Sequence, residues 1–298
     1  MILIFSLSGD GTADLLSSRF APTCFRINYD IWHDYSIEQT PHYWRLEDPT
    51  GRYIDSKNVS RAFWWKTFNV DLPLVDPMIT AEIRYTFREI YAHTKRKGIV
   101  RGNPPDWHKN WGKTAILNVA SRYLKTPLSL VSWQGLGISK LPTDKSYVAK
   151  SLDTELTAEG KALFTTKVEL SKLDLSYPWF IQEFIESDWD VTIQIIGSKL
   201  FPFRRSRKDL KGIDWRSEQS FRTDIEEWEP LTLSASDERA VRSVFSDLSV
   251  DFGRMDLMIE KSTGDMIFLE YNANGQWVFL DFNEKYGILD AVVEYIKG

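Results

Sequence analysis

Three oxygen-bearing side chains lie near the end of the chain, where buried strands normally carry apolar residues. Asp256 stands at the head of one apolar run, and Glu270 and Asn272 close the next, two residues apart and so on one face of a strand. The intervening Ser262-Thr263-Gly264-Asp265 turn predicts that the two runs form a hairpin. Asp256 can then face the other two side chains, so the sequence predicts two carboxylates and an amide converging in an apolar hairpin.

Such a cluster needs electrostatic compensation, because an unpaired buried carboxylate costs several kcal/mol or takes up a proton. A few hard oxygen ligands suit Mg²⁺ that arrives with a nucleotide, since that ion keeps positions for phosphate and water. The alternative is a hairpin whose acids lie at its solvated ends, followed by an ordinary turn at 272–275. Spacing alone leaves both interpretations open.

The composition bounds the class of protein. With 298 residues, 43% hydrophobic and 27% charged, we expect a globular protein of one large or two to three smaller domains. The net charge of −5 argues against nucleic acid as a partner. No apolar run approaches the ~20 residues of a membrane helix, and no signal-peptide pattern opens the chain. Cys24 is the only cysteine, so we expect no internal disulfide and a cytoplasmic location.

Two stretches imitate phosphate-binding loops, and we reject both. Gly9-Asp10-Gly11-Thr12-Ala13-Asp14 resembles a dinucleotide fingerprint, but it has Asp14 where the third glycine belongs. Gly112-Lys113-Thr114 resembles the end of a phosphate loop, but Trp107 stands in place of that motif's first glycine.

The C-terminal segment does resemble a known family. Asp256, followed by Leu269-Glu270-Tyr271-Asn272-Ala273-Asn274-Gly275-Gln276-Trp277, resembles the metal-binding end of ATP-grasp ligases. The closing Asn-Gly-Gln-Trp narrows the resemblance to the graspetide, or microviridin-type, ligases, which cyclise ribosomally made peptides. The resemblance implies an α/β (α+β) ATP-grasp fold. Its expected parts are an N-terminal α/β pre-ATP-grasp domain (1–98), a small central lid subdomain (99–187) and a C-terminal subdomain (188–298) that clasps the nucleotide.

The same resemblance assigns nucleotide-binding residues. Lys113, at the start of a predicted helix, and Lys150, at the end of a predicted strand, would hold phosphates. The adenine would lie against the strand end formed by Gln182, Glu183, Phe184 and Ile185, and Asp190 would bind the ribose hydroxyls. Each assignment has a plainer alternative: solvated lysines, and two core strands joined by an acidic connection.

Asp256, Glu270 and Asn272 would hold two Mg²⁺ ions. Arg205 is the first choice, and Arg254 the second, for stabilising charge on a transferring phosphoryl group. Asp214-Trp215-Arg216 resembles the segment that grips the leader part of a precursor peptide.

We therefore predict an ATP- and Mg²⁺-dependent peptide ligase whose partner is a ribosomally made precursor with leader and core parts. A precursor Asp or Glu side chain would become an acyl phosphate, which a Thr or Ser hydroxyl captures as an ester or a Lys as an amide. No residue in the sequence indicates a general base. The sequence is compatible with a homodimer and does not decide the oligomeric state. Two alternatives remain: an ATP-grasp ligase acting on small molecules or a protein terminus, and a peptide-binding module without chemistry.

Overall fold

The computed structural model describes residues 1–66, 68, 75–105, 107, 111–152, 164–210, 212–213 and 228–298. Within these ranges the strands form four β-sheets, one parallel and three antiparallel. None of the helices in the described part of the chain combines the length and the apolar character that crossing a membrane requires.

The N-terminal sheet is parallel, with strand order β2-β1-β6-β7. Its strands are β1 (Ile2–Ser6), β2 (Cys24–Asn28), β6 (Arg61–Trp64) and β7 (Val100–Arg101). Helices α1 (Gly11–Phe20) and α2 (Pro77–Arg96) pack on it. Every residue of β1 is buried, as expected for a parallel strand that is covered on both faces. A small antiparallel sheet follows β2 and contains β3 (Ser36–Thr40), β4 (Tyr43–Glu47) and β5 (Tyr53–Asp55).

A second antiparallel sheet, here called the lid sheet, has the order β10-β9-β11-β8. Its strands are β8 (Ser129–Ser132), β9 (Tyr147–Lys150), β10 (Thr166–Val168) and β11 (Trp179–Glu183). Its buried core is small and centres on Leu141, Tyr147 and Ile181.

The third antiparallel sheet, here called the large sheet, has the order β14-β13-β12-β15-β16. Its strands are β12 (Ser187–Ile196), β13 (Lys199–Ser206), β14 (Glu229–Pro230), β15 (Phe252–Glu260) and β16 (Met266–Asn272). Alternate residues such as Val191, Ile193 and Leu257 share a core with helices α3 (Lys113–Ala120) and α4 (Ala235–Asp247). Because side chains alternate along a strand, the residues between them lie on the opposite face.

The C-terminal helix α5 (Ile288–Lys297) packs against the N-terminal part of the chain. Its apolar residues share one buried core with Ile4 of β1, Leu16 of α1 and Trp277. The predicted C-terminal hairpin is confirmed as β15 and β16. The first sheet extends past residue 98 through β7, and the three domain boundaries stay a prediction.

Candidate active site

The three predicted metal ligands lie on one face of the large sheet. The strand register places Asp256 opposite Glu270 and Arg254 opposite Asn272, on neighbouring rungs of β15 and β16. Directly opposed residues in an antiparallel pair share a face, and so do residues two apart on one strand. The register shifts just after Asp256, which leaves Leu269 as an extra residue in β16. Such bulges re-aim neighbouring side chains and are common beside active sites.

Asp256 is held in place by three hydrogen bonds. Arg254 donates from Nε to Oδ1 and from Nη2 to Oδ2, both at 3.0 Å, and Thr192 Oγ1 donates to Oδ1 at 2.9 Å. A carboxylate offers about four lone-pair sites, so these bonds leave roughly one for another partner. The side chain of Arg254 is only 9% exposed, and its Nη1 donates to the Gln276 carbonyl at 2.9 Å. The guanidinium is therefore fixed beside Asp256.

Lys113 approaches the same cluster from α3. Its Nζ donates to the Ser151 carbonyl at 2.7 Å and lies 3.9 Å from Glu270 Oε2. The two side chains are about one-third exposed, which leaves both accessible from the solvent. The structure therefore brings Lys113 and Glu270 together.

A cleft, whose empty space is about 780 Å³ with adjoining open solvent included, is lined by residues of both the lid sheet and the large sheet. Of the twelve predicted site residues that the structure describes, nine line this cleft. Those that line the cleft are Lys150, Gln182, Glu183, Phe184, Ile185, Asp190, Arg254, Asp256 and Glu270. Lys113, Arg205 and Asn272 are not among the lining residues.

The end of β11 forms one edge of this cleft. The N–H of Glu183 donates to the Leu128 carbonyl and the N–H of Phe184 to the Ser146 carbonyl, each at 2.8 Å. The N–H of Ile185 donates to no acceptor among the residues that the structure describes. This strand end therefore offers a backbone donor within an apolar wall.

Asp190 forms a buried ion pair with a residue that sequence reasoning missed. Arg207 Nη1 donates to Asp190 Oδ1 at 2.5 Å, and its Nη2 donates to the Ile213 carbonyl at 2.8 Å. Asp190 is 6% exposed, and its Oδ2 is buried without a hydrogen-bond partner in the described part of the chain. Burial raises the pKa of Asp190, while Arg207 and Arg205 oppose this increase.

Arg205 lies opposite Asp190 in the strand register and is 4% exposed, whereas Arg207 lines the cleft. The two arginines are two residues apart, so the basic run 204–208 was a signal for both. The predicted leader-binding segment Asp214-Trp215-Arg216 lies outside the described residues.

The donor set suits magnesium bound with phosphate. Among the described residues, no group of three or more His, Cys, Asp or Glu side chains could hold a metal ion. Asp256 and Glu270, with the amide of Asn272, form a smaller set that contributes oxygen. Mg²⁺ favours oxygen ligands and usually keeps several positions for water and substrate phosphates, so the residues present fit that ion.

Comparison with known proteins identifies the fold. A scan of protein-family models and a search of curated proteins gave no match. A Chryseobacterium gregarium RiPP-associated ATP-grasp ligase, solved with ADP and a leader and core peptide, matches with a TM-score of 0.82 and 20% identity. That alignment covers 99% of this chain and 96% of the other.

Two further structures match over similar lengths. The macrocyclase MdnC from Microcystis aeruginosa MRC, bound with precursor peptide MdnA, has a TM-score of 0.81, 20% identity and 99% coverage of both chains. The ATP-grasp ligase PsnB, complexed with a minimal precursor, Mg and ADP, has a TM-score of 0.73 and 14% identity. That alignment covers 99% of this chain and 97% of PsnB. The predicted fold class is confirmed: over almost its whole length, the chain has the fold of ATP-grasp ligases.

Proposed function

We propose that this protein is an ATP- and Mg²⁺-dependent ligase that forms ester or amide rings in a ribosomally made precursor peptide. The observation that carries the proposal is the cleft that Lys150 and the end of β11 line together with Asp190, Arg254, Asp256 and Glu270. Structural neighbours solved with ADP, Mg and precursor peptides support the same assignment. A cytoplasmic location remains part of the proposal.

The lid side of the cleft would hold the nucleotide. Adenine would lie against the end of β11, where the N–H of Ile185 is available to a ring nitrogen. Asp190 would accept from the ribose hydroxyls through its Oδ2. Lys113 places its ammonium group near the carboxylate cluster, and Lys150 lines the cleft. Both lysines would therefore hold the phosphates.

The large sheet would hold magnesium through Asp256, Glu270 and Asn272. Asp256 would contribute one oxygen, since most of its acceptor capacity already serves Arg254 and Thr192. When bound there, Mg²⁺ would supply the positive charge that neutralises negative charge developing on the phosphate. The protein's task is to keep these side chains on one face at fixed spacing.

Arg254 is the residue to which we assign charge stabilisation in phosphoryl transfer. It lines the cleft beside Asp256, whereas Arg205, the first choice from the sequence, packs against Asp190 outside the cleft lining. A carboxylate oxygen of the precursor would attack the γ-phosphorus and ADP would leave. A hydroxyl or amine of the same peptide would then attack the acyl carbon, displacing phosphate and losing its proton to solvent. Positioning and charge stabilisation suffice for the first step.

The precursor partner is part of the same proposal. We propose that the leader binds at Asp214-Trp215-Arg216, which lies outside the described residues. Whether the core peptide receives esters or amides depends on the peptide, and mild base distinguishes them because it opens esters and leaves amides intact.

The test is incubation of the purified protein with Mg²⁺, ATP and a peptide encoded beside its gene that contains Thr-rich and Glu-rich clusters. We expect the peptide to lose the mass of one water per ring while ATP is converted to ADP. An unchanged peptide would contradict the proposal. ATP consumption with free amino acids alone would favour a small-molecule ligase, and no calorimetric binding of Mg²⁺-ADP would favour a module without chemistry.

A further inference from the structure

One hydrogen bond connects the N-terminal sheet region with the segment that follows the metal hairpin. Thr12 Oγ1 donates to Gln276 Oε1 at 2.5 Å, across 264 positions of sequence. Thr12 is the second residue of α1 and is 4% exposed. The contact therefore lies in a largely buried setting, next to the cluster of Arg254 and Asp256.

Gln276 has little freedom to move. Its carbonyl accepts from Arg254 Nη1 at 2.9 Å, and the following Trp277 is 1% exposed in the core shared with α1 and α5. At the preceding Gly275, a Cβ would lie 2.9 Å from Arg254 Cβ and 3.1 Å from Asn272 Cβ. The chain at 275–277 is therefore packed directly against the proposed catalytic and metal-binding side chains.

Thr12 is anchored equally firmly. Asp10 caps α1 by accepting from the N–H of Ala13 at 2.9 Å. The other Asp10 oxygen accepts from Trp65 Nε1 at 3.0 Å and lies 3.4 Å from Lys66 Nζ. The first turn of α1 is thus held by the neighbouring strand end, and the hydroxyl of Thr12 has a fixed place.

We propose that Thr12 and Gln276 are positioning residues that hold the Arg254 guanidinium at the transferring phosphoryl group. The bonds form a continuous series from Thr12 through the side chain and carbonyl of Gln276 to Arg254 and then Asp256. This inference rests on the proposed function, since it concerns the geometry of Arg254 in that reaction. Its consequence is that the N-terminal domain helps to set the geometry of the active site.

The decisive variant is Thr12→Val, which removes the hydroxyl and keeps the side-chain shape. Precursor-dependent ATP hydrolysis should lose about tenfold to a hundredfold in kcat, because small displacements of a catalytic group cost factors of this size. The Kd for Mg²⁺-ADP, measured by calorimetry, should stay at the wild-type value. The Tm should fall by only a few degrees, because a single hydrogen bond is lost. Thr12→Ser should restore kcat, because it returns the donor.

Ser18→Ala is the matched control, since Ser18 lies on the same helix and its hydroxyl donates locally to the Asp14 carbonyl. It should keep wild-type kcat. Gln276→Met should lose as much kcat as Thr12→Val, and the double variant should lose no more than either single one if the residues act as a pair.

Three outcomes would overturn the inference: wild-type kcat in Thr12→Val, an equal loss in Ser18→Ala, or losses that add in the double variant. A parallel loss of Mg²⁺-ADP affinity, or a fall in Tm well beyond a few degrees, would also overturn it, because it would indicate a general structural effect. If the wild-type protein showed no precursor-dependent ATP hydrolysis, the proposed function itself would fail. The two failures are therefore distinguishable.

Discussion

Glu270→Gln separates metal binding from folding more cleanly than any other change in this site. Glu270 lies opposite Asp256, so two carboxylates repel each other across the strands when no metal is bound. Removing that repulsion should gain about 0.2–1 kcal/mol. Losing the 3.9 Å contact with Lys113, in which both side chains are about one-third exposed, should cost a similar amount. Because the two effects have opposite signs, we expect the metal-free variant to match wild-type stability within about 0.5 kcal/mol.

Ligand-linked stability should change much more. At a Mg²⁺-ADP concentration one hundred times Kd, the wild-type protein should gain about 2.7 kcal/mol in free energy of unfolding. A hundredfold weaker Kd in the variant would reduce that gain to about 0.4 kcal/mol at the same concentration. The expected difference of about 2.3 kcal/mol is far larger than the change in the metal-free protein.

Urea unfolding, followed by tryptophan fluorescence in EDTA and again with Mg²⁺-ADP, measures both quantities. Glu47→Gln is a matched control: that half-exposed carboxylate pairs with Arg45 in the small N-terminal antiparallel sheet, and its variant should keep the full ligand effect. Full Mg²⁺-ADP stabilisation of Glu270→Gln would refute the metal assignment. A loss above about 1 kcal/mol in EDTA would refute the balance of charges described above.

Other changes test neighbouring parts of the site. Asp256→Asn should lower the free energy of unfolding in EDTA by about 1.5–3 kcal/mol, because it removes an acceptor from the buried Arg254; unchanged urea unfolding would contradict this. Gly253→Ala should lower the free energy of unfolding by about 2–5 kcal/mol or prevent soluble expression. The reason is that φ of Gly253 is +142° and the new Cβ would lie 2.3 Å from the Tyr271 hydroxyl. Urea unfolding identical to that of the wild-type protein would contradict this. Burial raises the pKa of Asp190, so wild-type stability relative to Asp190→Asn should fall as pH rises from the ordinary carboxylate pKa through the raised one. A difference between these two proteins that is constant with pH would contradict the buried carboxylate.

The sequence predicted that Asp256, Glu270 and Asn272 share one face of the hairpin. Acidic side chains within otherwise apolar strands can be accommodated in few ways, which limits the possible arrangements of these residues. A two-residue spacing fixes the face within a strand, and the Gly-Asp turn fixes the partner strand. The fold itself came from the resemblance of the same segment, and the full-length structural matches agree with it.

Other features depend on tertiary structure. Arg205 and Arg207 are two residues apart, so the sequence pattern does not distinguish them. Only the fold shows that Arg207 lines the cleft and Arg205 does not. Strand β3 (Ser36–Thr40) has one apolar residue and was not predicted, because its pairing with β4 outweighs its weak propensity. The bond between Thr12 and Gln276 joins positions far apart in the chain, which no local pattern could indicate.

The central claim is that ATP activates a precursor carboxylate as an acyl phosphate. The most direct measurement uses a precursor peptide whose Asp and Glu side-chain carboxylates are labelled with a heavy oxygen isotope. The isotope content of the released phosphate is then measured. Transfer of the γ-phosphoryl group to a carboxylate, with later displacement of phosphate by a hydroxyl or amine, predicts one labelled oxygen in each phosphate released. Ring formation with phosphate that contains no label would contradict the account.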